Sequence, residues 1–117
     1  QGGTLNTIIQ PEPPILVTAF NQQQPTLTLG GKIYESLLKY GADLKPMPGM
    51  AQSWEISPDG LTYTFTLVSG VTFHDGSPFT SADVVFTYNR LKEIQSPALG
   101  LLGEFEISAP DESTVVF

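Results

Sequence analysis

Residues 48–91 read PGMAQSWEISPDGLTYTFTLVSGVTFHDGSPFTSADVVFTYNRL, and the periods in this stretch decide the fold class. Ser53 to Ser57 alternates, and Pro58-Asp59-Gly60 is a strong turn signal. Leu61-Thr62-Tyr63-Thr64-Phe65-Thr66-Leu67 then alternates apolar and polar residues, so one face of a strand is apolar and the other is threonine. Val71-Thr72-Phe73 reads as a further short strand, stopped by His74-Asp75-Gly76-Ser77-Pro78. The period changes at Thr80. Its hydroxyl suits a first-turn amide and Asp83 can reach back, a capping box with Asp in place of Glu. Val84, Tyr88 and Leu91 form a one-sided stripe, which predicts a helix over 81–93. Gln95-Ser96-Pro97 breaks it.

Outward from this stretch the same rules apply. Phe105 to Ser108 and Ser113 to Phe117 read as strands joined at Pro110-Asp111. Upstream, Thr4 to Ile9 reads as a strand halted by Pro11-Glu12-Pro13-Pro14. Ile15 to Phe20 is apolar, and Asn21-Gln22-Gln23-Gln24 has no period and reads as a loop. Pro25 suits a first helical position, and the pairs Ile33/Leu37 and Tyr34/Leu38 lie four apart, which predicts a helix over 26–38 with Gly41 near its stop. The class is mixed α+β, with short, mostly antiparallel strands and two helices.

The chain has 117 residues, 5 Lys and Arg against 12 Asp and Glu, and a net charge of −7. So few basic groups argue against nucleic acid as a partner and against anionic membrane surfaces. Absence of cysteine removes disulfides, thiolate metal sites and cysteine nucleophiles together. No apolar run is long enough to span a bilayer, and no signal segment is visible at Gln1-Gly2-Gly3. Phe117 lies within an apolar β run, which predicts that the chain is part of something longer.

No catalytic apparatus is legible. His74, the one histidine, could pair with Asp75 as base and orienter, but Asp75-Gly76 before Pro78 is turn chemistry. Asp59, Asp75 and Asp111 fall in predicted turns and Asp83 has a capping task, so no two carboxylates are marked as a catalytic pair. Gly30-Gly31 precedes no Gly-Lys-Ser/Thr and follows no strand, so a phosphate loop is not supported. Trp54, Tyr63, Phe65, Phe73 and Phe86 are read as core rather than as ligand-stacking aromatics, with Trp54 and Tyr63 the clearest cases. The expectation is no catalytic residue, no metal ligand and no cofactor.

A resemblance goes further. Met50-Ala51-Gln52-Ser53-Trp54-Glu55, Asp59-Gly60-Leu61-Thr62-Tyr63-Thr64-Phe65, the run Gly70 to Thr80, and Ala82-Asp83-Val84-Val85-Phe86 occur in the order of the opening region of extracellular solute-binding proteins, family 5. These are the peptide, dipeptide and nickel-type receptors of bacterial ABC importers. Ile33-Tyr34-Glu35-Ser36-Leu37-Leu38 resembles the family's first helix. Residues 1–29 fit more loosely, since Leu16-Val17-Thr18 stands where an Asp-Pro is common.

The resemblance implies a two-lobed periplasmic-binding-protein-like fold, of which this chain is an N-terminal fragment. Residues 1–29 would be the opening strand and crossing of lobe I, and 30–117 its incomplete side subdomain. The implied function is non-catalytic binding of a solute, a peptide above all, for ABC permease subunits in the membrane. The implied location is periplasmic or extracellular, with membrane association open. A nickel chelate or a sugar remains an alternative ligand, and a stand-alone β-rich interaction module an alternative function. In the family, the loop before the first helix and the stretch after the second line the ligand cleft. Carried over by distance, these are Asn21, Gln22, Gln23 and Gln24, and the neighbourhood of Ala98. The four amides could meet a peptide backbone without demanding a charge; a solvated loop facing only water is the competing reading.

Overall fold

The computed structural model describes residues 2–100 and 102–117. Its centre is a four-stranded antiparallel sheet in the order β3-β4-β6-β5, formed by β3 (Ala51–Ile56), β4 (Tyr63–Leu67), β5 (Ser108–Asp111) and β6 (Thr114–Val116). Helix α2 (Ser81–Glu93) packs on the β5–β6 side. A second, two-stranded sheet pairs β1 (Leu38–Tyr40) with β2 (Pro46–Pro48), and the short helix α1 (Gln24–Gly30) precedes it.

The expected alternation positions the sheet. Trp54 faces Phe65, Ile56 faces Tyr63, and Phe65 faces Val115, so one face of three strands is apolar. Leu67, Val84 and Val115 are buried as its core, with Leu37, Phe79, Tyr88, Ile107 and Phe117 packed around them. The Phe117 ring meets Tyr88 edge-on at 4.8 Å and Phe65 at 5.7 Å, a favoured geometry for aromatic pairs. Burial along β4 is graded: Leu61, just before it, is 78% exposed, Tyr63 41% and Leu67 2%. The covered end is the one where Leu67 shares a core with Val84 of α2 and Val115 of β6. Tyr63 is therefore not core, contrary to its pattern, and Trp54 is only half-buried; Phe73 and Phe86 are exposed.

Helix α2 begins where its cap predicts. Thr80 donates its backbone N–H to Asp83 Oδ2 at 2.8 Å and its hydroxyl to the same oxygen at 3.1 Å. Its first turn docks on the β5–β6 hairpin, with the Ser81 amide donating to the Glu112 carbonyl at 3.0 Å.

Elsewhere the structure corrects the sequence reading. The helix expected over 26–38 stops at Gly30. The carbonyls of Ser36 and Leu37 are taken by the amides of Met50 and Ala51, each at 2.9 Å, so strand-like pairing replaces the last helical turns. Gly49 makes that approach possible: a Cβ there would lie 2.5 Å from the Ser36 carbonyl oxygen. Thr4 to Ile9 forms no strand, since no neighbour among the described residues offers it a ladder, and Leu5 and Ile8 stand exposed. Val71–Phe73 is reduced to one bridge, Thr72 to Pro78. The strand read at 105–108 lies at 108–111, with Pro110 tolerated on an edge. Its turn moves accordingly to Glu112.

Candidate ligand-binding wall

Segment 15–24 is shaped by hydrogen bonds rather than by regular structure. The Phe20 amide closes a turn on the Val17 carbonyl at 3.1 Å. Asn21 Oδ1 accepts the Gln23 amide at 2.7 Å, the side-chain turn that asparagine commonly makes. Gln22 donates its side-chain amide to the Thr18 carbonyl, and Gln24, the first residue of α1, donates to Thr28 Oγ1 at 3.1 Å. Asn21 is half-buried, whereas Gln22, Gln23 and Gln24 are exposed. Among the described residues, no hydrogen bond engages the Gln23 side chain, so both ends of its side-chain amide are available.

Two hydroxyls that solvent hardly reaches fix this segment. Thr26, fully buried, donates to the Ile15 carbonyl at 2.9 Å. Ser96, 5% exposed, donates to the Ala19 carbonyl and accepts the Ala98 amide at 3.1 Å. The second set of contacts crosses 77 residues of sequence. It ties Ala19, two residues before Asn21, to the residue that caps the short 3-10 helix Pro97–Leu99, which carries half-buried Ala98. The two stretches expected to share a site are thus linked through Ala19 and Ser96. Sequence reading had Ser96 only as a helix breaker. Its position one residue before Pro97 was a signal for a capping role, but nothing local pointed to Ala19.

The surface carries two open hollows. One, of about 590 Å³, is lined by Lys92, Leu99, Gly103, Glu104, Phe105 and Glu106. The other, of about 380 Å³, is lined by Thr7, Ile9, Glu12, Pro13, Leu16 and Leu29. The first reaches the 3-10 helix through Leu99, and the second reaches segment 15–24 and α1 through Leu16 and Leu29. Lys92 donates to the Phe105 carbonyl and sits 4.1 Å from the centre of its ring, a cation–π contact.

Three aspartates are in structural use. Asp75 Oδ1 accepts the Ser77 hydroxyl at 2.7 Å and amide at 2.9 Å, bending the chain where Gly76 has a positive φ. Asp59 accepts from Ser57 and Leu61, and Asp111 from the Ser113 amide and hydroxyl. These bonds favour the charged form and lower all three carboxyl pKa values, led by the serine hydroxyl at Asp59 and Asp75 and by the Ser113 amide at Asp111. Burial raises the Tyr88 phenol. Among the described residues, no three His, Asp or Glu gather as metal ligands, and no helix is long and apolar enough to cross a membrane.

Residues 45–117 match the family described as Bacterial extracellular solute-binding proteins, family 5 Middle. The chain belongs to this family. Among family relatives, it is 35% identical over 104 residues to a Sinorhizobium fredii protein named as the periplasmic-binding protein of a peptide ABC transporter, covering 88% of this chain and 19% of that one. The ABC transporter substrate-binding protein CtaP of Listeria monocytogenes superposes with a TM-score of 0.79 at 35% identity, over 93% of this chain and 23% of CtaP. OppA of Haemophilus influenzae, solved with the peptide RPPGFSPFR, gives 0.80 at 27% identity over 90% of this chain and 24% of OppA. The chain therefore spans about a fifth to a quarter of the length of these family members.

Proposed function

We propose that this chain is part of the solute-binding component of an ABC importer and that its solute is a peptide or peptide-like molecule. In this reading, residues 1–29 are the opening strand and crossing of one lobe and 30–117 part of its side subdomain. Asn21, Gln22, Gln23, Gln24 and Ala98 contribute to the cleft wall, and the work is binding without catalysis. The protein acts in the periplasm or outside the cell and hands its ligand to permease subunits. Family membership over 45–117 supports the function. The observation that carries the wall is the Ser96 hydroxyl, which joins the Ala19 and Ala98 segments. Neutral side-chain amides suit a ligand that offers its own backbone donors and acceptors. The peptide transporter of the Sinorhizobium relative and the peptide RPPGFSPFR bound to OppA favour peptide over nickel chelate or sugar.

The test is native mass spectrometry of the full-length protein purified from the producing cell. A bound mass that fragments as a peptide is expected. A metal chelate or a saccharide in its place would overturn the ligand class.

A further inference from the structure

Ser96 uses both halves of its hydroxyl. The hydrogen goes to the Ala19 carbonyl and a lone pair takes the Ala98 amide, so one side chain bridges two loops that no strand pairing or helix joins. Thr26 makes a single bond, to Ile15. Both bonds are partly shielded from water and both end on the buried Ser96 side chain, where an unpaired hydroxyl would be costly, so the hydroxyl holds the two loops at one spacing. On one side of the bridge stands the turn leading into Asn21, and on the other the 3-10 helix bearing Ala98.

We infer that Ser96 is a positioning residue of the ligand wall. By tying Ala19 to Ala98 it fixes how far the Asn21–Gln24 amides stand from the 97–99 turn. It thereby sets affinity for a solute that presents main-chain amides, without touching that solute. The inference rests on the reading of these two loops as cleft wall given above.

The experiment uses the full-length protein as parent, with Ser96→Ala, Ser96→Thr and Gln23→Ala. Backbone hydrogen exchange is measured without ligand. Affinity is measured for di-, tri-, tetra- and pentaalanine, well below each variant's unfolding temperature. In Ser96→Ala, exchange should rise together at 19–22 and at 98–99 while 63–67 stays protected, and affinity should fall about five- to tenfold. Ser96→Thr keeps the hydroxyl and should restore both. Unchanged exchange in Ser96→Ala overturns the positioning role, as does loosened exchange with parental affinity. Exchange that rises equally across 63–67 makes Ser96 a general stabiliser and also overturns it. Affinity that falls with Gln23→Ala but not with Ser96→Ala defeats positioning alone. Affinity indifferent to both variants defeats the wall itself, and failure of every polyalanine to bind the parent overturns the inference together with the reading beneath it.

Discussion

Asp59, Asp75 and Asp111 each close an exposed turn by accepting a serine hydroxyl and a backbone amide. All three have carboxyl pKa values below the ordinary 3.8. A folded pKa below the unfolded one means that the contribution to stability is present above about pH 4 and is lost as pH falls through the folded values. Urea midpoints should therefore hold steady from neutral pH to about 5 and then decline. The variant Asp75→Asn should flatten part of the decline, and an equal slope in that variant would sever the turn from the acid sensitivity. At Gly49 the constraint is steric: a methyl group would meet two backbone carbonyls, of Ser36 and Leu37, that cannot rotate aside. The variant Gly49→Ala should lose about 1–3 kcal/mol in denaturant unfolding, the usual cost of overpacking. A parental midpoint would show that the 36–37 and 49–51 segments can separate freely.

At the scale of elements, a strong local pattern predicted well and a long-range contact did not. The alternation of 61–67 gave β4 and its apolar face, and Thr80 with Asp83 gave the start of α2, because each signal lies within a few residues. The helix over 26–38 failed because the partners of Ser36 and Leu37 arrive from residues 50–51, beyond any local window. Thr4–Ile9 carried the right composition for a strand but has no ladder among the described residues. The proposed wall shows the same division. Asn21–Gln24 and Ala98 came from family spacing, whereas the hydroxyls of Thr26 and Ser96 act across the fold and left no periodic trace. The graded burial of the apolar face separates two substitutions that its alternation would rank alike. Leu67→Ala, at the covered end, should cost about 2–5 kcal/mol. Trp54→Ala, half-buried on β3, should cost less than the 3–5 kcal/mol typical of a fully enclosed aromatic ring. Equal losses in chemical denaturation would mean that both side chains sit in one closed core.

For the whole molecule, the buried apolar set among the described residues is Ala51, Leu67, Val84 and Val115, which is small for 117 residues. Large apolar side chains such as Tyr40, Leu44, Ile56 and Leu61 face outward instead. Both hollows are open, and an open surface cannot strip water from a solute as an enclosed cleft does. The 117-residue chain by itself should therefore show no saturable binding of the polyalanine series tighter than about 0.1 mM, or about −5.5 kcal/mol, by calorimetry. Micromolar binding would mean that one wall suffices. With a net charge of −7, any weak association seen at low salt should favour cationic peptides and fade as ionic strength rises.

The pairing of Trp54 with Phe65 gives the sheet an optical signature. Trp54 is the sole indole in the 117 residues, so fluorescence of this chain excited at the tryptophan edge comes from one place on β3. Half-buried against its neighbour strand, it should move to longer wavelength and become fully open to iodide quenching when β3 and β4 part. Loosening confined to the 19–24 and 96–99 loops should leave the emission where it was. Light from Trp54 thus reports the state of the scaffold, separately from the loops proposed as ligand wall.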